Sequence, residues 1–411
     1  MSLNKTITII SGNYFPEDTA IGLYTSQFAK YLNNREYNVK VITGFPYYPQ
    51  WKVWEDYENN PSFCKETIDS ITIFRYKQYV PKKVNFIGRV RLMISLLYGS
   101  IINSKKIKNS DLVICVVPST LSIIPGIMIK KRTKSKLWIH IQDFEFDLAF
   151  ESGILKSKNI FLRLLKKNLF RFESYLLNKA DIVSSISNSM LRKVNDKAHS
   201  ENLFYFPNWV SSTNIDPLTS KHHRYVSKEK FTLLYSGNVG EKQDWELFLK
   251  LCEKINDSEI EIIIVGEGGY LNNLKEKSSK YSFVKFHPLV PYNELSDLLC
   301  TANAHFLFQK SNVLDTIMPS KILGMMASNR PSLVSGNKNS EVASIFNEHN
   351  NVGYYFSDDN PVDIYNRILY LKNNPKLSEK IGENAREYIL KNFAEENILQ
   401  EFERKIQEEI K

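Results

Sequence analysis

The stretch Phe231-Thr-Leu-Leu-Tyr235-Ser-Gly-Asn-Val-Gly-Glu-Lys-Gln243-Asp-Trp-Glu-Leu-Phe-Leu-Lys-Leu251 reads as a β-rich run, a loop with two glycines and a helix starting near Asp244. A strand that leaves through such a loop into a helix is the unit of a parallel α/β layer. Toward the C-terminus the alternation continues, with strands expected over Glu259–Val265, Ser282–Phe286, Ala304–Phe308, Pro331–Val334 and Gly353–Phe356. Toward the N-terminus a separate series comprises Thr6–Ser11, Asn38–Thr43, Asp111–Val117, Lys136–Ile141 and Asp181–Ser185. Between its first two strands, Ile21, Tyr24, Phe28 and Leu32 recur at helical spacing. The expected fold is α/β, two Rossmann-like domains facing across a cleft. The N-terminal one spans 1–206. A hinge over 207–230 is marked by prolines, Ser/Thr/Asn and the paired His222 and His223. The C-terminal one spans 231–390, and a helix over 391–411 is expected to pack back on the N-terminal domain.

A length of 411 residues exceeds what one core usually serves. With 43% apolar and 24% charged residues the chain is neither disordered nor collagen-like. Cys64, Cys115, Cys252 and Cys300 spell out neither a zinc site nor a disulfide framework, and read as reduced thiols. The start MSLNKTITII runs straight into a strand without the features of a signal peptide. The apolar run Leu92–Ile102 is too short to span a bilayer, so no transmembrane helix is expected and a cytoplasmic location follows.

The net charge of +9 is unevenly distributed: residues 1–208 carry +13 and residues 209–411 carry −4. From Ser70 to Ser110 there are nine basic residues and no acidic one; from Ser152 to Phe172 there are six and none. Nucleic acid would want a positive groove with interleaved aromatics, whereas a membrane surface wants cations flanking an apolar helix. The second pattern is the one present. Lys82, Lys83, Arg89 and Arg91 precede Leu92-Met-Ile-Ser-Leu-Leu-Tyr98, and Lys105, Lys106 and Lys108 follow. An anionic membrane surface is therefore the expected partner and nucleic acid is not.

Three loops of the C-terminal half carry candidate chemistry. In the loop after Tyr235, Gly237 and Gly240 let backbone approach a ligand, and Lys242 adds a charge suited to phosphate; an ordinary turn with a solvated lysine is the competing reading. Val265-Gly-Glu-Gly-Gly269 also stands at a strand's carboxyl end, where ligands bind, but taken alone it is better explained by a tight turn. Leu314-Asp-Thr-Ile-Met-Pro-Ser-Lys321 enters an apolar helix. Lys321 near that N-terminus opposes the helix dipole unless an anion offsets it.

In the N-terminal half His140 stands at a strand end and is followed by Gln142, Asp143, Glu145 and Asp147. Alternating carboxylates can ligate Mg²⁺, but two lysines and two helix N-termini suffice for a diphosphate, so no metal site and no cofactor is assigned. Gly12 and Gly22 flank the first βα loop, which could reach a donor. Phe45-Pro-Tyr-Tyr-Pro-Gln-Trp51 offers aromatic faces to a sugar or lipid, or packs under itself.

The loops Gly237–Gln243, Val265-Gly-Glu-Gly268 and Pro319-Ser-Lys321, with Phe206-Pro-Asn208, resemble the GT-B-fold retaining glycosyltransferases of family 4, and the resemblance covers essentially the whole chain. Tyr47-Tyr-Pro-Gln-Trp51, His140-Ile-Gln-Asp143 and Phe206-Pro-Asn-Trp209 are similar to the colanic-acid and O-antigen fucosyl or N-acetylfucosaminyl transferases. The resemblance implies catalytic roles for His140, Lys242 and Lys321. It implies donor contacts from Gly22, Gly237, Asn238, Gly240, Gly266, Glu267, Asp315, Thr316, Pro319 and Ser320, with the amides after Gly237 on the diphosphate. Tyr48, Trp51 and Asp143 fall on the acceptor side. The implied substrates are a nucleotide-diphosphate sugar, UDP-linked, and a lipid-linked saccharide in O-antigen or capsule assembly. The donor sugar would be L-fucosamine, N-acetylfucosamine or a related 6-deoxyhexose. Two departures stand out. Asn238 occupies the place of a common arginine, and Thr316 and Gly324 occupy the places of two common glutamates. Beside this reading stand a sugar-nucleotide epimerase of the same architecture and a non-enzymatic binder of anionic polymers.

Overall fold

The computed structural model describes residues 5–18, 20–82, 85–145, 160–198, 200–311, 320–349, 351–357 and 360–411. Contacts divide the chain into two units, one of residues 1–207 with 399–411 and the other of residues 208–398.

The first unit is built on strands β1 (Thr6–Ile10), β2 (Asn38–Gly44), β3 (Phe63–Ile68), β4 (Ile71–Tyr76), β5 (Leu112–Val117), β6 (Lys136–Ile141), β7 (Ile182–Ser185) and β8 (Leu203–Tyr205). Their order is β3-β4-β2-β1-β5-β6-β7-β8, parallel throughout except for β3. β1 and β5 are buried along their whole length, which explains their unbroken Ile/Val character: helices cover both faces. The β3–β4 hairpin was not anticipated. It turns through Asp69 and Ser70, both at positive φ, a two-residue turn matched to the strand twist.

The helix Phe86–Ser104 is longer than the apolar run Leu92–Ile102, because Asn85 accepts the Gly88 amide and starts it a turn and a half earlier. By length and composition alone it could cross a membrane, which corrects the expectation that no such segment exists. Its buried line of Gly88, Leu92, Leu96, Gly99 and Asn103 packs on β2 and β4. A Cβ at Gly99 would fall 2.1 Å from the Tyr76 ring, so glycine is what lets this helix lie against the sheet.

The second unit contains β9 (Phe231–Ser236), β10 (Ile260–Val265), β11 (Val284–His287), β12 (Ala304–Phe308), β13 (Ser332–Ser335) and β14 (Tyr354–Phe356). All are parallel, in the order β11-β10-β9-β12-β13-β14. Sequence order therefore reverses between β9 and β12, as it does between β1 and β5 in the first unit. Open α/β sheets bind ligands at the carboxyl ends of strands flanking such a switch point.

Residues 208–230 pack on the second unit: Ile215 and Val226 are in its core, and Arg386 donates to the Ile215 carbonyl at 2.7 Å. The helix Glu395–Glu409 buries Leu399, Phe402 and Ile406. The Phe402 ring stacks on Phe206 at 4.2 Å and meets Trp138 and Phe28 edge-on, all within the first unit.

Candidate active site

At the switch point of the second sheet, β9 runs into Gly237, whose φ of +131° is reached cheaply only by glycine. A Cβ there would lie 2.5 Å from Cε of Lys321. Lys321, in the first turn of the helix Ser320–Ala327, extends under this loop: its ammonium donates to the Tyr235 hydroxyl and, at 3.1 Å, to the Asn238 carbonyl. Tyr235 in turn donates to the Asn238 carbonyl at 2.6 Å, and burial raises its pKa, so it stays a neutral phenol. The two candidate lysine loops are thus one structure, with Lys321 beneath Gly237.

The second glycine loop packs on the first. The Gly237 and Val239 amides donate to the Val265 and Glu267 carbonyls at 2.8 and 2.7 Å. A Cβ on Gly266 would sit 2.0 Å from the Gly237 carbonyl oxygen, and one on Gly268 2.3 Å from that of Val239. Gly266 and Gly268 thereby allow two backbones to touch, while the Glu267 side chain is exposed. The Gly240 amide donates to the Gln243 side chain at 3.1 Å. Two of the amides expected on a diphosphate, those of Val239 and Gly240, therefore already have partners within the two loops. The helix Trp245–Cys252 is capped by Asp244, which accepts the Leu247 amide at 2.9 Å, and Glu246 sits in its first turn. Two carboxylates at that terminus leave it poorly suited to an anion. Positive charge comes instead from Lys242, exposed and in no ion pair among the described residues, and from Lys321. Asp315, Thr316 and Pro319 lie outside the described residues. Ser320 is the first residue of its helix. At Gly324 a Cβ would come within 3.3 Å of the Leu299 side chain.

In the first unit β6 delivers His140, only 2% exposed. Its Nδ1 lies 2.9 Å from the Ser184 hydroxyl, which also accepts from the Trp138 indole at 2.7 Å, and its Nε2 lies 2.9 Å from the Gln142 amide nitrogen. Gln142 donating to Nε2 fixes the neutral tautomer with its proton on Nδ1. Burial pushes the imidazole down to about 3. His140 is therefore a neutral, oriented hydrogen-bonding group at neutral pH, not an acid.

The acidic run after it separates. Asp143 accepts its neighbour's amide, that of Phe144, at 2.9 Å, and Glu145 accepts the Thr120 amide at 3.1 Å, with burial raising its pKa to about 7. Asp147 lies outside the described residues. Among the described residues no three His, Cys, Asp or Glu side chains converge as metal ligands do.

The aromatic loop after β2 is held by a residue that sequence reasoning missed. Glu17, 2% exposed, accepts the Tyr47 and Tyr48 amides at 2.7 Å each and the Asn13 side chain at 2.8 Å. Burial raises its pKa while these donors oppose the rise. The only signal was an acidic pair, Glu17 and Asp18, following Tyr14-Phe-Pro16 in the loop. Gly22 serves the same assembly: a Cβ there would stand 2.6 Å from the Glu17 carbonyl oxygen. Trp51 meets the Tyr47 and Tyr48 rings edge-on at 5.8 and 6.4 Å, so Tyr48 and Trp51 are packed together and half-buried.

Of the basic residues, Lys82, Arg89 and Arg91 are exposed, and Lys83 lies outside the described residues. Arg75, counted among the nine cations of the acid-free stretch, is fully buried, paired with Glu66 and bonded to the Gly44 and Phe15 carbonyls. It braces the two loops rather than facing a membrane.

Residues 219–388 match the family described as Glycosyl transferases group 1. The chain is a glycosyltransferase. It is 29% identical over 411 residues to the Escherichia coli (strain K12) protein named as a colanic acid biosynthesis glycosyl transferase, WcaI, covering 96% of this chain and 98% of the relative. Among solved structures it is similar to the sucrose-phosphate synthase of Thermosynechococcus elongatus, with a TM-score of 0.72 at 14% identity over 98% of both chains. It is also similar to Anabaena HepE in complex with UDP-glucose, with a TM-score of 0.69 at 13% identity over 98% of this chain and 99% of the other. The fold class is GT-B, with two parallel-sheet Rossmann-like units. The epimerase and the non-enzymatic polymer binder give way to a transferase carrying a group 1 domain.

Proposed function

We propose that this glycosyltransferase moves a sugar from a nucleotide-diphosphate donor, UDP-linked, to a lipid-diphosphate-linked saccharide in surface polysaccharide assembly, retaining the anomeric configuration. The observation that carries the reading is the Gly237 loop at the β9/β12 switch point, with Lys321 bonded beneath it and Lys242 exposed beside it. Cleavage of the donor's glycosidic C–O bond leaves charge on the diphosphate, which Lys321, held by its hydrogen bonds, stabilises without reorganising and exposed Lys242 stabilises from beside it. In this reading no metal is essential. The naming of WcaI for colanic acid biosynthesis and the UDP-glucose bound to HepE support the polysaccharide context and the UDP donor. The motif resemblance supports a 6-deoxyhexose such as N-acetylfucosamine.

His140, neutral and oriented by Gln142 and Ser184, serves as a hydrogen-bonding contact to the transferred sugar, while Tyr48, Trp51 and Asp143 serve the acceptor. A panel of nucleotide-diphosphate sugars with a synthetic lipid-diphosphate sugar acceptor tests the reading. The expected result is acceptor-dependent release of nucleoside diphosphate and an α- or β-linked product matching the donor's anomer. Activity abolished by chelator and restored by Mg²⁺ would overturn the metal-independent part. Absence of transfer from every UDP-sugar alongside transfer from another nucleotide's sugar would overturn the choice of base.

A further inference from the structure

Two loops meet at the switch point of the second unit, one after β9 and one after β12. Gln243 and Gln309 form an isolated antiparallel bridge there. Its two flanking hydrogen bonds run from the Asp244 amide to the Phe308 carbonyl at 2.9 Å and from the Lys310 amide to the Lys242 carbonyl at 3.1 Å. Lys242 and Lys310 are consequently opposite each other across a short ladder. The two flanking bonds hold the Lys242 and Lys310 backbones side by side, and both side chains reach solvent. Gln309 is 8% exposed and the Gln243 side chain is engaged by the Gly240 amide, which places the glutamines inward. Both lysines are exposed, and neither forms an ion pair among the described residues.

Like charges directly opposite on a ladder destabilise it unless an anion lies between them. Among the described residues no carboxylate fills that role: Asp244 caps the helix Trp245–Cys252, and neither Glu241 nor Glu267 forms an ion pair with either lysine. The pair stands at the carboxyl edge between β9 and β12, where the sheet order reverses. We infer that Lys310 is the second exposed cation of the donor diphosphate site, gripping the pyrophosphate together with Lys242. This supplies the positive charge that Asn238 does not, and it does so from a different strand. The inference rests on the nucleotide-diphosphate donor of the preceding reading.

The test uses the full chain and inorganic pyrophosphate, which carries no base or sugar, with uridine as the control ligand. Wild type, Lys310→Ala, Lys310→Arg and Lys242→Ala are compared by titration calorimetry and by thermal melting without ligand. Lys310→Ala is expected to weaken pyrophosphate about tenfold or more, as loss of one charge-assisted contact does. It should leave uridine affinity unchanged, and Lys310→Arg should restore most of the loss. Because the lysine pair repels itself, Lys310→Ala should also melt at or above the wild-type temperature. Unchanged pyrophosphate affinity in Lys310→Ala overturns the inference, as does a lowered melting temperature with normal pyrophosphate binding, which would make Lys310 a structural residue. If wild type binds neither pyrophosphate nor any nucleoside diphosphate, it is the donor reading itself that fails.

Discussion

Lys242 and Lys321 are both candidate cations, yet their surroundings assign them different work. Lys242 is exposed, and truncating it removes charge without disturbing a contact among the described side chains. Lys242→Ala is expected to lower kcat/KM by ~2–4 kcal/mol of transition-state stabilisation with an unchanged melting temperature. Lys321 ties the Tyr235 hydroxyl and the Asn238 carbonyl to the helix Ser320–Ala327, so Lys321→Met should lower both turnover and thermal stability. Steady-state kinetics with paired melts separate the two, and equal melting temperatures for both variants would refute the distinction. His140 offers a second test at this scale. Its folded imidazole holds a pKa of about 3 while the unfolded chain keeps the ordinary value near 6.5. Between those values the unfolded state binds a proton that the folded state refuses, so stability is lost as pH falls below about 6.5. The stability of wild type relative to His140→Gln should therefore drop by about 2 kcal/mol between pH 7 and pH 5. Denaturant unfolding at both pH values checks it; a constant difference would mean His140 protonates in the fold.

Individual elements show what the sequence made legible and why the remainder was hidden. β1, β5, β6, β7, β9, β10, β12 and β13 announced themselves because largely buried runs rich in Ile, Val, Leu and Phe leave a strong local signal, and β2, β11 and β14 were placed by the alternation with helical stretches. The β3–β4 hairpin did not, since its edge strand Phe-Cys-Lys-Glu-Thr-Ile is half-exposed and mixed in character, and Asp69-Ser70 is a weak turn signature. Both glycine loops and the Lys321 loop were visible separately. That Gly266 lies against the Gly237 carbonyl and that Lys321 runs beneath Gly237 are contacts between distant segments, which periodicity does not encode. Glu17 was missed for the same reason: its partners across the fold, the Tyr47 and Tyr48 backbone amides, carry no side-chain signature. The helix Glu395–Glu409 makes the energetic point. Phe402 is 1% exposed and its ring touches Phe206, Phe28 and Trp138, so Phe402→Ala should destabilise the first unit by about 3–5 kcal/mol. Chemical denaturation of the full chain measures it. A loss under about 1 kcal/mol would mean that the cluster closes over the gap.

Across the whole molecule, charge is divided so that residues 1–208 carry +13 and residues 209–411 carry −4. The lipid-linked acceptor proposed above would give that division a purpose, and membrane docking of the first unit is the prediction that follows from it. On the helix Phe86–Ser104, Ile87, Ile94 and Tyr98 are 62%, 57% and 65% exposed. At 3.6 residues per turn they lie on one line with Arg91 and with Lys105 just past the helix end, opposite to the buried line of Leu92, Leu96 and Asn103. On the helix Ile160–Leu177, exposed Leu164, Phe172 and Tyr175 accompany Arg163, Lys166, Lys167 and Arg171. Apolar residues in the acyl boundary with cations at lipid phosphates is the pattern of reversible docking, each cation contributing about 1 kcal/mol on an anionic leaflet. The length of Phe86–Ser104 also admits a spanning helix, but its packed face against β2 and β4 favours docking on the surface. Sedimentation with anionic vesicles discriminates. The wild type should pellet at low salt and be released as screening grows. Charge reversal at Lys82, Arg89 and Arg91, or Ile94→Glu alone, should reduce the bound fraction severalfold. Protein that stays in the supernatant at low salt refutes docking, and protein that resists high salt and leaves only with detergent assigns Phe86–Ser104 to the bilayer interior instead.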